Sequence, residues 1–479
     1  MKQLDFGRGS ITRNILYSSI PMMVAQLINL LYSLVDRVYI ARIPEVGTEA
    51  LGGLGLTFPV IILITAFTAL YSGGGATLFA IARGGGKVNR AEKIEGLCFF
   101  LEIVTAAVLM AFGMVFAEPI LNLFGAKGDG LLYALPYLRI YLTGTVFSMV
   151  SAGMNPFINA QGFPVYGMIS VVTGAVLNII LDPVLIFACD MGIRGAAVAT
   201  VISQAVSACM VVIVLLSRRM PIGLSLSVIR EKGRKHSGTT GDDKSGVRRH
   251  IASQAGSIRL LISQIITLGF SSFIMLFTNA LVSIVCNAVL LRTGGQLYVS
   301  IMTIISSLRQ LFETPILAIC DGASPVISYN YGAGLYDRVR RSVRVMSYMS
   351  LGYTFIIWIL MMVIPDVFIR IFSNDTAIFA DSMPAVRVYF IAFMFMTLQF
   401  IGQTTYKALN RRARAIFFSI FRKVIIVVPL TYLLPLIFTP SVNGVFAAEP
   451  VSNVIGGSAS FFTMIFYIRS LGRKPETRK

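Results

Sequence analysis

An all-α membrane protein of twelve transmembrane helices, arranged as two six-helix lobes related by a pseudo-twofold parallel repeat, is the fold class this sequence predicts. Three observations predict it. The 479 residues are 56% hydrophobic and 13% charged, with mean hydropathy +0.77, whereas a soluble domain carries about 25% charged residues. Runs of about 20 apolar residues, long enough to cross a bilayer, recur twelve times. The later six runs repeat features of the first six at an offset of roughly 250 residues.

The runs place helices at residues 15–40, 52–82, 94–117, 133–159, 164–189, 193–217, 258–290, 297–327, 343–364, 385–407, 414–438 and 445–469. The polar start MKQLDFGRGS precedes a run too long for a signal-peptide core, so that run is expected to stay as the first span. Loops rich in Lys and Arg stay in the cytoplasm. Basic residues crowd the amino terminus (Lys2, Arg8, Arg13) and the second connection (Arg83, Lys87, Arg90, Lys93). They return in the eighth (Arg338, Arg340, Arg341, Arg344), the tenth (Arg411, Arg412, Arg414) and the tail. Alternate connections are neutral or acidic, as with Glu45 and Glu49, or Asp366, Asp375 and Asp381. Both termini are therefore expected in the cytoplasm of a multi-pass protein of the cell (inner) membrane. The net charge of +19 is then a topology signal, with no nucleic-acid partner expected. The five cysteines lie in or beside apolar runs without CxxC spacing, so neither disulfides nor a zinc site are indicated.

The longest polar break, residues 218–256, is rich in Gly, Ser and charge and reads as a cytoplasmic linker between an amino-terminal lobe, 1–217, and a carboxyl-terminal lobe with its tail, 257–479. Its first part, through Ile229, could form a short interfacial helix; Glu231 to Arg249 looks disordered. The repeat shows in GGGATLFAIARGGGKVNRAEK against DGASPVISYNYGAGLYDRVRR, in Arg139-Ile140-Tyr141 against Arg387-Val388-Tyr389, and in GIRGAAVAT against GVFAAEPVS. Six spans return the chain to the same side, so the copies share one orientation, an arrangement of secondary transporters.

The chain resembles the multidrug and toxic compound extrusion (MATE) family over nearly its whole length. The resemblance rests on VDRVYIAR, GGLGLTFP, LNIILDPVLIF, GIRGAAVATVISQ and PVISYNYGAG, in that order and spacing. It implies antiport of a drug against a cation, driven by a proton or sodium gradient through alternating access.

Two carboxylates, Asp36 and Asp182, sit inside apolar runs. Charge in hydrocarbon costs several kcal/mol and marks an ion or substrate path. Helical spacing gives them neighbours: Gln26, Asn29, Tyr32 and Ser33 share a face with Asp36, and Asn178 shares one with Asp182. Pro183 has no N–H for the carbonyl of Ile179. The fourth span aligns Ser148, Ser151, Asn155 and Asn159; the sixth offers Thr200 and Gln204. Such oxygens suit a small hard cation, and buried carboxylates also take up protons. The family resemblance implies a cation pocket of Tyr32, Asp36, Asn155, Asn178, Asp182 and Thr200. Another branch keeps its essential carboxylates in the seventh and tenth spans, where this chain has none.

The repeat sets Asp36 opposite Cys286 or Asn287, Asp182 opposite Leu434, Asn178 opposite Leu430, Asn155 opposite Gln403 and Thr200 opposite Ser452. A fold requirement would act on both copies, so the one-sided acids point to function, while Asn155 and Thr200 also fit interhelical hydrogen bonding. The second lobe embeds Arg309, Glu313, Asp321, Lys407 and Glu449. Arg309 with Glu313 fits an intrahelical pair and Lys407 fits snorkelling, whereas Glu313, Glu449 and Gln403 could line a cavity for cationic substrate.

A membrane enzyme is not expected: the two histidines, His236 and His250, lie in the linker. A channel would require a continuous polar pore. The serious alternative is a flippase for lipid-linked sugars or lipids of the same superfamily, which would need a large basic cavity, and the embedded basic residues Arg309 and Lys407 are few. No cofactor is expected beyond the coupling ion, H+ or Na+. The expected partners are a small-molecule substrate and membrane lipid, with the chain acting as a monomer. The sequon Asn374-Asp375-Thr376 is isolated.

Overall fold

The computed structural model describes residues 3–125, 127–225, 244–370 and 376–472. Among them, nine helices are each long and apolar enough to cross a membrane, or ten if the bent pair Asp381–Phe390 and Phe393–Ala408 is one span. The stretch Ile258–Gly332 is 75 residues, about 110 Å of helix and too long for one crossing. Gly295 breaks it at φ 75°, giving the seventh and eighth spans. Asp129–Thr143 and Thr145–Ala160, divided at Gly144, make the fourth. Among the described residues the count is then twelve, one helix or helix pair for each expected span.

Three further spans leave regular α-geometry, each with a proline in or beside the irregular stretch. The fifth runs Pro164–Pro183 and continues as a π-turn, Val184–Ala188. In the eleventh, Arg412–Ile420 passes into π-helix Phe421–Val427 ahead of Pro429. The twelfth has Pro450 inside Ser441–Ser452, followed by π-helix Asn453–Gly457. Proline removes a donor and crowds the carbonyl four residues back, and π-turns accommodate the mismatch.

Cα packing divides the chain into two units, residues 1–3 with 31–273, and residues 4–30 with 274–479. The partition runs through the first span, Ile11–Ala41, and through the seventh. Small residues allow this. In the first unit a Cβ on Gly269 would lie 1.6 Å from the carbonyl oxygen of Leu70, and one on Gly74 would lie 2.1 Å from that of Ile265. The second unit repeats the device: a Cβ on Gly322 would lie 2.6 Å from the Cα of Ser19. Gly322 and Ser19 are the repeat partners of Gly74 and Gly269.

Each unit has its own apolar core, with Phe79 against Phe157 in the first (centroids 5.5 Å) and Phe312 against Phe368 in the second (5.3 Å). Residues 218–225 are a turn, bends and irregular chain, so that part of the expected interfacial helix does not occur, and its remainder to Ile229 lies outside the described residues. Helix begins at Lys244, so 244–249 are helical where disorder was expected; residues 231–243 and the sequon's Asn374 and Asp375 lie outside the described set.

Candidate functional site

The fifth span supplies the centre of the site. Asn178 and Asp182, one helical turn apart, are 1% and 0% exposed. The Asn178 amide donates to Asp182 Oδ1 at 3.3 Å and to Thr200 Oγ1 of the sixth span at 3.4 Å. Asp36, also buried, enters from the carboxyl-terminal third of the first span, within electrostatic range of Asp182. Three tyrosines, Tyr32, Tyr137 and Tyr141, feel these carboxylates or one another. Ser148 and Gln204 lie near the Tyr141 hydroxyl.

Several buried oxygens here have no hydrogen-bond partner among the described residues: Asp36 Oδ1, Asp182 Oδ2, Asn178 Oδ1 and Gln204 Oε1. Neither carboxylate has a Lys or Arg nitrogen within 4.0 Å among the described residues. Arg37, next to Asp36, instead stacks over the Phe58 ring at 4.8 Å. A pair of carboxylates without a cationic partner, ringed by amide and hydroxyl oxygens, is chemically suited to hold protons or a small hard cation. Among the described residues no group of three or more His, Cys, Asp and Glu is placed to hold a metal ion.

Tyr32, Asp36, Asn178, Asp182 and Thr200 thus converge. Asn155 is engaged elsewhere: its amide donates to the Gly167 carbonyl at 2.9 Å and to Ser170 Oγ at 3.0 Å, and its Oδ1 accepts from Asn159 at 3.3 Å. It ties the fourth span to the fifth. Asn155→Ala is expected to cost about 1 kcal/mol of stability and to leave cation affinity within about twofold, read by thermal unfolding and ion retention of the purified protein. Of the first span's polar face, Gln26 turns to Asp321, donating to Oδ2 at 3.4 Å.

Sequence reasoning missed two carboxylates in the third span. Glu95 and Glu102 are 0% exposed. Glu95 Oε1 accepts from Gln161 at 3.3 Å, and Glu102 lies against Gly153, where a Cβ would come within 2.1 Å of its Oε1. Their spacing of seven, with Cys98 between them, places all three on one helix face.

In the second unit Glu449 is not available to attract a cation as expected. Its Oε1 already meets Lys423 Nζ at 2.7 Å and Arg422 Nη1 at 3.1 Å. Arg309 joins at 4.0 Å from Glu449 and 3.9 Å from Glu313. The expectation of few embedded basic residues is corrected too, since Arg422 and Lys423 are buried in the eleventh span. Lys407 lies within electrostatic range of Asp321. Gln403 donates to Ser419 at 2.8 Å.

A duplicated twelve-span helical fold holding a membrane-buried acid pair has the build of a membrane transporter. The MatE family model matches residues 21–184 and again 271–433, one match per repeat, and the chain belongs to that family. It is 22% identical over 441 residues to the multidrug export protein MepA of Staphylococcus saprophyticus, covering 92% of this chain and 89% of that one. With MepA of Staphylococcus haemolyticus the identity is 25% over 407 residues, 83% of each chain. Among solved structures, an outward-facing multidrug resistance MATE transporter of the MOP superfamily superimposes with TM-score 0.87 at 20% identity, over 99% of this chain and 100% of that chain. A MOP superfamily transporter from Pyrococcus furiosus matches with the same TM-score, identity and coverage. At this identity the likeness is one of fold.

Proposed function

We propose that this protein is a cation-coupled antiporter that exports small amphipathic or cationic molecules across the cell membrane, with both termini in the cytoplasm and the single chain as the working unit. The observation that carries the reading is the buried, cation-free pair Asp36 and Asp182, with Asn178 and Thr200 around it and no acid at the matching positions of the second repeat. The related MepA proteins are named for multidrug export, which supports a range of small organic substrates.

In this mechanism substrate enters from the cytoplasm while both carboxylates are charged. A proton or sodium ion arriving from outside then neutralises them, with the free oxygens of Asp36, Asp182 and Asn178 as ligands and Tyr32 and Thr200 beside them. Loss of charge removes the need to keep the first span's lower half polar and hydrated, so that span bends or repacks and substrate is released outward. Pro21, inside the first helix, lacks the donor that would stiffen it. Each charge crossing 100 mV gains about 2.3 kcal/mol, enough to drive about a fiftyfold gradient per charge.

A second reading, a flippase for lipid-linked sugars or lipids, draws support from one observation, the buried Arg422 and Lys423 beside the half-buried Arg309. The test is dye export from proteoliposomes under an imposed proton gradient and, separately, a sodium gradient. Acceleration by one gradient, abolished by its ionophore, is the expected result; export indifferent to both would overturn the antiport reading.

A further inference from the structure

The third span, Val88–Leu123, buries two carboxylates that the Asp36 and Asp182 pair does not use. Glu95 and Glu102 are each 0% exposed and share one helix face, with Cys98 between them. They lie about 10 Å and about 21 Å along the axis from the start of the helix. Glu102 therefore stands well inside a hydrocarbon layer about 30 Å thick.

The two acids differ in their partners. Glu95 Oε1 accepts from the Gln161 amide at 3.3 Å, and Gln161 Oε1 accepts from the Ile222 N–H at 3.1 Å. The Arg83 guanidinium donates to the neighbouring Ala160 carbonyl at 2.7 Å, so Gln161 sits at the end of the unit where the second span closes and the third begins. There the exposed Gln3 donates to the Gln161 carbonyl at 3.0 Å. Glu92 is the other acid within electrostatic range of Glu95. Glu102, in contrast, is bare. Among the described residues neither of its oxygens has a hydrogen-bond partner, and no Lys or Arg nitrogen lies within 4.0 Å. Its titratable neighbours are Cys98 on its own helix and Tyr71 of the second span. The Cys98 thiol donates to the Tyr71 carbonyl at 3.9 Å, and the Tyr71 hydroxyl bonds Thr105 at 2.7 Å. The fourth span meets Glu102 with Gly153, and that span's titratable residues, Asp129, Tyr133, Tyr137, Arg139 and Tyr141, all precede Gly144.

The repeat separates packing from chemistry here. The register that pairs Asn155 with Gln403 also aligns the helix starts Val88 and Tyr336, and Gly86 with Gly334, at φ 70° and 73°. It sets Glu95 opposite Val343, Cys98 opposite Met346, Glu102 opposite Ser350 and Gly153 opposite Ile401. All four counterparts are buried. Where the first unit has a long acid against a glycine, the second has a short hydroxyl and a long aliphatic side chain. The filling of the space is kept and the acid is not, so packing alone does not call for a carboxylate. A Cβ on Gly153 would lie 2.1 Å from Glu102 Oε1 and 2.5 Å from Oε2, so the absence of a side chain there is what seats the carboxyl group.

An ionised carboxylate with no donor and no counter-ion is strongly unfavourable in so dry a place. A proton removes the charge and needs no further room, whereas a metal cation would need several more oxygen ligands. We propose that Glu102 is a second proton-binding site of the first unit, and that Glu95 relays its proton to and from the end of the third span beside Gln161. Loading breaks an O–H bond on Glu95 and forms one on Glu102; a proton moves, no electrons change hands, and the pair keeps its net charge. Without its proton Glu102 requires water where Gly153 now packs, so the third and fourth spans loosen as the proton leaves. A label on glutamate does not report on Asp36 or Asp182, so failure of this site and failure of the antiport reading are separate results.

The experiment is infrared difference spectroscopy through a pH titration of the full-length chain in dodecylmaltoside, with and without carbon-13 glutamate. Wild type is expected to show, at neutral pH where an exposed glutamate is ionised, a protonated-carboxyl stretch that the label shifts and that fades as the pH rises. Glu102→Gln, a neutral isostere, is expected to abolish that band and to release about one proton fewer per chain over the same titration. Glu95→Gln is expected to keep the band and to slow its loss after a pH jump about tenfold. Size exclusion and thermal unfolding show whether each variant is folded, and the labelled wild type needs no variant: the lack of any label-sensitive band would itself overturn the proposal. So would a band that persists in folded Glu102→Gln, or one that never fades with pH, since the proton would then be a fixed part of the fold. An unchanged rate in Glu95→Gln would overturn the relay.

Discussion

Asp182→Asn is expected to lower the affinity for the coupling ion about a hundredfold. Asp182 is fully buried, and only one of its oxygens is engaged, by the Asn178 amide. An amide in its place removes the charge and sets an NH2 group where an acceptor stood, facing either the ion or the Asn178 donor. Charged acceptors bind roughly twice as strongly as neutral ones, and the loss falls on the group with the least access to compensating water. Thr200→Val, which deletes only a neutral oxygen hydrogen-bonded to Asn178, is expected to cost about fivefold. Sodium-22 retention and proton uptake after a pH step, both on purified protein, measure the two variants side by side. Equal effects of the two substitutions would show that Asp182 acts by packing rather than by charge.

The second large effect is on folding. Gly269→Val is expected to destabilise the first unit by about 3 kcal/mol or more. The new side chain would meet the backbone of Leu70, with a Cβ 1.6 Å from its carbonyl oxygen and 2.6 Å from the carbonyl carbon. A side chain can rotate away from a clash; a helix backbone must move as a whole. The surrounding helices would have to separate, losing the contacts around Leu70 and Gly74, and small residues at such crossings are what permit close approach in membranes. Gly52→Ala, at a glycine whose Cβ would meet nothing within 4 Å, is the control and is expected to be neutral or slightly stabilising. Thermal unfolding in detergent and the fraction of monodisperse protein on size exclusion check both.

The spans, their order and the acid pair were readable because each rests on a strong signal: long apolar runs, basic loops, and carboxylates where lipid forbids them. Asp36, Asn178 and Asp182 were found from spacing and from the lack of counterparts in the repeat, Thr200 through the family resemblance, and Asn178 bonds both Asp182 and Thr200. What escaped was anything that depended on which way a span faces. A membrane helix is apolar on most sides, so periodicity does not mark its inner face. Glu102, deep in the run 94–117, carried the same signal as Asp36 and was passed over for want of polar neighbours at helical spacing, while Glu95 at the edge of that run read as a boundary charge, and Tyr137 and Tyr141 gave no sign that they lie near the acids. Arg422 and Lys423 were hidden for a different reason. Adjacent basic residues near a span's start resemble ordinary boundary charges, and only the π-helical stretch turns both inward. Glu449 was visible, but its three cationic partners lie 26, 27 and 140 positions away, beyond any local pattern.

The cation site in the first unit is tested most directly by dye export from proteoliposomes carrying wild type or Asp36→Asn, with the imposed gradient as the only driving force. Wild type should export faster under the gradient, and Asp36→Asn should export at the same rate with and without it while still binding dye at equilibrium. Undiminished gradient-driven export by Asp36→Asn would contradict a coupling role for the Asp36 and Asp182 pair.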